Sequence, residues 1–230
     1  MKQFVTKGII LTRTEFGEAD RIITLLTPDH GKLHLMAKGV RRIKSKLAGG
    51  IELFSVSSIT YAPGRGELGT LISTRLIKHY HNILKDIDRT MLGYDLIKCL
   101  NKVTEDGPGA EYFDFLDRTF GALDDAKINT AIIKLWFDIQ LLRLNGHTPN
   151  LYTDKANTKL RVDGKYEFNF NDSTLSNNPS AHIGADHIKF LRLGFSGNSP
   201  QILNHVQGSD KLAQAVTPLV TTMLREHLRL

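Results

Sequence analysis

The sequence predicts an α+β, multi-domain chain: a small β-barrel over residues 1–80, then an α-helical bundle domain over 81–230 with a small β-ribbon excursion. Three observations predict it. Short runs rich in Val, Ile and Thr fill the chain up to residue 80, apolar residues recur at helical spacing from residue 86, and a stretch rich in Asn, Thr and Ser interrupts between 146 and 184.

The strands come first. Residues 4–14 are rich in Val, Ile and Thr, and 21–27 continue with Ile22, Ile23, Leu25 and Leu26. After Pro28-Asp29-His30-Gly31, residues 32–38 alternate, with Leu33, Leu35 and Ala37 on one face and Lys32, His34, Met36 and Lys38 on the other. Proline early and glycine late in a four-residue link is hairpin chemistry, so this pair should show water a basic face. Extended runs at 52–62 and 70–79 flank the glycine-rich turn 63–69. Five strands with no helical period between them suggest a closed or nearly closed barrel that removes its own edges, and an OB-fold is the candidate.

The helices come next. Leu92, Leu96, Cys99, Leu100 and Val103 make one stripe behind a start at Asp86 or Asp88, and Gly107-Pro108-Gly109 stops it. Tyr112, Leu116, Phe120 and Leu123 make a second stripe. Ile128, Ile132, Leu135, Trp136, Ile139 and Leu142 make a third, ended by Asn145-Gly146. Three such faces need one another and predict a bundle. Residues 146–184 are long for a connection, and Val162-Asp163-Gly164-Lys165 reads as the tight turn of a ribbon. Helix returns at 186–193 with Gly194 as its stop, and again from Ser199-Pro200, an N-cap and first helical residue. Leu212, Val216, Leu219, Val220, Met223 and Leu224 supply the last apolar face, which Pro218 should kink or divide.

With 41% hydrophobic and 23% charged residues, the 230-residue chain is excluded from collagen-like, disordered and disulfide-scaffold classes. It has no apolar run of about 18 residues and no secretory h-region, so a cytoplasmic protein with no membrane partner is expected. The single cysteine, Cys99, excludes an internal disulfide and a multi-thiolate zinc site. The net charge of +6 is unevenly placed: residues 1–80 hold 13 Lys/Arg against 6 Asp/Glu, and the remainder 17 against 18. A localised positive field points to a polyanion read by the N-terminal part.

The sharpest candidate is the run 38–46. Lys38, Arg41, Arg42, Lys44 and Lys46, with Lys32 upstream, give six cations and no carboxylate between residues 32 and 46. Placed before Gly49-Gly50, such a loop can wrap onto a phosphate backbone and release counterions. Arg13, Arg21, Arg65 and Arg75 could widen the patch. Phe16, Phe54, Tyr61 and Tyr80 interleave with these charges as candidate stacking platforms, although Phe54, within a strand, belongs more naturally to a core, and Tyr61 fits either role. Residues 64–69, Gly-Arg-Gly-Glu-Leu-Gly, carry the letters of a dinucleotide fingerprint, but the run 70–74 after them is extended, so they are a hairpin turn with Arg65 as a candidate phosphate contact. His79 and His81, or His182 and His187, lack the further ligands of a metal site. No nucleophile elbow, P-loop or metal-carboxylate cluster marks an enzyme, and no cofactor is expected.

Residues 17–28, Gly-Glu-Ala-Asp-Arg-Ile-Ile-Thr-Leu-Leu-Thr-Pro, followed by His30-Gly31-Lys32-Leu33 and Ala37-Lys38-Gly39-Val40-Arg41-Arg42, strongly resemble the N-terminal signature of the bacterial RecO recombination mediators. The run 64–70 and the overall length also fit, and residues 144–151 look like the family's approach to its zinc segment. The resemblance implies an OB-fold followed by a helical domain. It also implies binding of single- and double-stranded DNA, annealing of complementary strands, engagement of the C-terminal tail of single-stranded DNA-binding protein, and loading of RecA together with RecR, without enzymatic activity. Arg21, Lys32, Lys38, Arg41 and Arg42 match the family's basic signature; Lys44 and Lys46 join on charge and proximity. Many members carry four zinc-binding cysteines in the segment that follows residues 144–151, whereas this chain has Asp154 and Asn157 near where the first pair would fall, so residues 150–180 must rest on packing and hydrogen bonds. Two other readings fit the same residues: an RNA-binding OB protein, and an adaptor whose helical domain docks an acidic tail.

Overall fold

The computed structural model describes residues 2–104 and 109–230, and the expected stop at Gly107-Pro108 lies outside the described residues. Two compact units emerge, Met1–Asp125 and Ala126–Leu230.

In the first unit, β1 (Phe4–Phe16), β2 (Asp20–Thr27), β3 (Gly31–Ala37), β4 (Ser55–Ala62) and β5 (Leu68–His79) close into a barrel in the order β1-β2-β3-β5-β4. The β3–β5 pair is parallel and the other four are antiparallel. This is the expected OB-type barrel. Ile10, Ile23, Leu25, Leu35, Ile59 and Leu71 fill its interior, the inward half of the period-2 pattern. Residues 64–69 join β4 to β5 with no helix after them.

Two helices complete this unit, α1 (Ile87–Val103) and α2 (Ala110–Asp124). Asp86 caps α1 by accepting from the Arg89 amide at 3.1 Å. The Arg89 guanidinium donates to the carbonyls of Leu123 and Asp125 at 2.9 and 3.0 Å, filling acceptors that the end of α2 leaves open. The buried stripe of α1 is Arg89, Gly93, Leu96, Ile97 and Leu100, rotated from the expected one. The reason is Phe54. Fully buried just ahead of β4, not within a strand, it takes φ of 56° and sets its ring against Tyr94 and Phe120, at centroid distances of 5.3 and 5.4 Å. A Cβ at position 93 would stand 2.6 Å from that ring, so only glycine lets α1 approach. Lys32 donates from Nζ to the Asn101 carbonyl at 2.8 Å, and Tyr80 hydrogen-bonds through its hydroxyl to Asp117. These links hold α1 and α2 to the barrel within one unit that runs to Asp125.

The second unit is built around α3 (Thr130–Leu144), which is buried from Ile132 to Leu142 on nearly every side. Asn129 caps it, its side chain accepting from the Ala131 amide at 2.8 Å. α3 packs against α4 (Ala185–Phe195), α5 (Pro200–Asn204) and α6 (Ser209–Leu228). Gly194 does not stop α4; it lies within it, where a Cβ would come 2.8 Å from Ile139. Pro218 lies inside α6 without dividing it. Ser199 and Pro200 open α5 as expected. Among the described residues no helix is long and apolar enough to cross a membrane.

The polar excursion holds β6 (Tyr166–Asn169) and β7 (Thr174–Asn177), an antiparallel ribbon. Its bend lies at residues 170–173, whereas Val162-Asp163 form a separate turn ahead of β6. Side-chain hydrogen bonds organise this segment. One Asp154 carboxylate oxygen accepts from the amides of Ala156 and Thr158 at 2.9 and 2.8 Å, and Asn157 takes φ of 59° to close the turn. With no cysteine or histidine between residues 150 and 180, a four-ligand zinc site does not fit here. The Tyr166 hydroxyl accepts from the Arg161 amide at 2.6 Å. Arg192 of α4 donates twice to the Leu151 carbonyl, at 2.9 and 2.5 Å, with its guanidinium 4.5 Å from the Tyr152 ring centroid. Arg192→Ala therefore releases the start of the excursion: a stability loss of about 1–3 kcal/mol and faster limited proteolysis between residues 150 and 165 are expected, and an unchanged cleavage pattern would contradict the assignment.

Candidate nucleic-acid interface

The loop between β3 and β4 is rooted at both ends and open in the middle. Val40 and Ile51 are buried in the barrel core, with Leu47 and Ala48 packed against it. Gly39 turns the chain at φ of 64°, and its amide donates to the Asp20 carboxylate at 2.7 Å. The Arg41 amide donates to the Ala19 carbonyl at 2.9 Å, so the root leans on the β1–β2 turn. At the far root the Thr74 hydroxyl donates to the Leu47 carbonyl at 3.2 Å. Between these anchors Lys38, Arg41, Arg42, Lys44 and Lys46 all stand exposed.

Glu15 organises one edge of this cluster. Its two carboxylate oxygens lie 3.6 Å from the Arg21 guanidinium and 3.5 Å from that of Arg41. The Arg21 Nε is buried and makes no hydrogen bond among the described residues. Exposed ion pairs of this kind contribute little stability, so the effect of Glu15 is to aim two guanidinium groups along one edge.

Two expected members fall elsewhere. The β3–β5 register pairs His34 with Leu68. Lys38 lies four residues beyond the one and Arg65 three before the other, which separates them by about 20 Å along the strands. Arg65 is exposed on the β4–β5 turn, away from the loop. Lys32 lies toward that same end and its ammonium is held by Asn101. With His34 beside Thr24 at 3.1 Å, the expected basic face of the β2–β3 hairpin is largely taken up by packing and hydrogen bonds. Arg13 is paired with Glu52 at 2.9 Å.

Of the four aromatic candidates, Phe54, Tyr61 and Tyr80 are buried. Tyr61 stacks on Phe4, and burial followed by the charge of Asp29 holds its phenol above the ordinary value. Burial and the hydrogen bond to Asp117 push Tyr80 up still further. Phe16 is half exposed, on the β1–β2 turn that supports the loop. Sequence reasoning overlooked Ile43, fully exposed between Arg42 and Lys44. An apolar residue inside a carboxylate-free run of cations was the available signal. Among the described residues no group of three His, Cys, Asp or Glu side chains could hold a metal ion.

A rigidly rooted, cation-bearing loop on a closed five-stranded barrel is also where the chain matches known proteins. Residues 1–80 match the family described as "Recombination protein O N terminal". Residues 1–80 thus resemble the N-terminal domain of the RecO family. The DNA repair protein RecO of Dehalococcoides mccartyi is 33% identical over 149 residues, 64% of this chain and 58% of that protein. That of Rhodopirellula baltica is 35% identical over 144 residues, 62% and 53% respectively. The chain thus spans a little over half the length of these curated relatives. The RecO of a Thermoanaerobacter species aligns over all of this chain and 94% of its own length, at 26% identity.

Proposed function

We propose that this chain is a non-enzymatic DNA-binding and strand-annealing mediator of recombinational repair, acting in the bacterial cytoplasm. It works with RecR to load RecA on DNA coated by single-stranded DNA-binding protein, whose C-terminal tail it engages. The observation that carries this reading is the exposed set Lys38, Arg41, Arg42, Lys44 and Lys46, with no carboxylate between residues 38 and 46, on a domain that matches the RecO N-terminal model. Lys and Arg contacts to backbone oxygens hold single or double strands without reading bases, because phosphates carry no sequence information. Neutralising two strands on one protein lowers their mutual repulsion, which is the electrostatic requirement of annealing.

Fluorescence anisotropy of a labelled single-stranded oligonucleotide, at several salt concentrations, tests the loop. Wild type binds at micromolar concentrations or tighter. Arg41→Ala/Arg42→Ala/Lys44→Ala flattens the log–log salt slope by about 1–3 units, since each phosphate left without its cation lowers the slope by about 0.7 for a single strand. Unchanged affinity and slope in the triple variant would overturn the loop as the binding surface.

A further inference from the structure

The exposed side of the β1–β4–β5 sheet carries cations that the loop does not account for. The registers place Lys7 opposite Ser58 and Ser58 opposite Arg75, so these three form one cross-strand row. The next row is Val5, Thr60 and Ser73. Lys78 sits on β5 opposite Val56, its ammonium 4.3 Å from the Tyr80 ring centroid. Lys7, Ser73, Arg75 and Lys78 are exposed, and Ser58 and Thr60 are half-buried. Lys7, Arg75 and Lys78 form no ion pair among the described residues. Strands β4 and β5 contain no Asp or Glu, and β1 contains Glu15 alone, which Arg21 and Arg41 occupy.

The geometry points to a second track for a nucleic-acid backbone on this face, one that holds the complementary strand while the loop holds the first. Neighbouring strands are about 4.8 Å apart, so Lys7 and Arg75 are about 10 Å apart across Ser58, with a hydroxyl between two cations. Cations interleaved with hydroxyl donors on an open sheet suit phosphate oxygens, and with no enclosing pocket they impose no base sequence. The two tracks are distinct. Lys7 lies eight residues from Glu15, about 25 Å along β1, and so outside the Arg21–Glu15–Arg41 edge. At the other side the loop ends against β5, where Leu47 accepts from the Thr74 hydroxyl, on the face of the strand opposite to that of Arg75.

This inference rests on the annealing function proposed above, and the test separates the two. Wild type, the loop variant and a face variant, Lys7→Gln/Arg75→Gln/Lys78→Gln, are compared as full chains. Single-strand affinity is read by anisotropy, and annealing of two complementary labelled oligonucleotides by energy transfer. The face variant keeps the wild-type circular dichroism and melting temperature, because its three substitutions lie on exposed side chains. It keeps single-strand affinity within about threefold, slows annealing by about tenfold, and flattens the salt slope of annealing by about 2 units. Annealing at the wild-type rate in the face variant would overturn the second track. So would a defect confined to binding vesicles of anionic phospholipid, which would assign the face to a membrane surface. A wild type that neither binds nor anneals DNA would instead overturn the mediator reading itself.

Discussion

Phe54→Ala is expected to lower the stability of the barrel unit by about 3–5 kcal/mol, read as a shift of the urea midpoint by circular dichroism. The side chain is fully buried between Tyr94 and Phe120, and its ring occupies the space that a Cβ at Gly93 would take. Removing it opens a cavity where β4 and both helices meet. The backbone at φ of 56° stores about 1–3 kcal/mol in a residue with a Cβ, and alanine does not relieve it. Phe54→Gly removes the same ring but relaxes that strain, so it should be less damaging than alanine, the reverse of the usual order. A loss under about 1 kcal/mol for Phe54→Ala would show that the ring does not key the helices to the barrel, and glycine worse than alanine would show that the backbone stores no strain there.

Trp136→Ala is expected to cost the second unit about 3–5 kcal/mol. Trp136 is fully buried on α3, and its indole nitrogen donates to the Asn198 carbonyl in the link between α4 and α5. The alanine variant loses the volume and the bond together. Trp136→Phe separates them: it keeps most of the ring and strands one carbonyl, for about 1–3 kcal/mol. Chemical denaturation of both variants measures the difference. An unchanged midpoint in Trp136→Phe would mean that the hydrogen bond contributes nothing, and equal losses in the two variants that the buried ring volume contributes nothing.

How much of the molecule was legible from sequence depended on distance along the chain. The five strands are visible because alternation, the Pro28–Gly31 link and the glycine-rich turn at 63–69 are local signals. Helical structure from α1 onward is visible for the same reason, from apolar spacing and from Asp86 and Ser199-Pro200 at helix starts, whereas the Asn129 cap of α3 and the break between α5 and α6 come from the structure. The features that stayed hidden are long-range. Gly93 reads as a weak spot in a helix until Phe54 is seen against it. Lys32 reads as a solvent-facing cation until Asn101, 69 residues away, is seen to hold its ammonium. The reassignment of α1 and α2 to the barrel unit comes from those same contacts. At the interface, the exposure of Lys38 to Lys46 was readable from a run without carboxylates, because such a run has nowhere to be buried. The roles of Glu15 and the isolation of Arg65 depend on strand register, which one sequence does not display.

The Asp154 turn has a consequence for the conditions under which the chain can work. Two amide donors close on one carboxylate, Arg192 clamps the Leu151 carbonyl, and Tyr166 holds Arg161. Residues 150–180 contain no cysteine, so peroxide or other thiol-directed oxidants find no thiol there to attack.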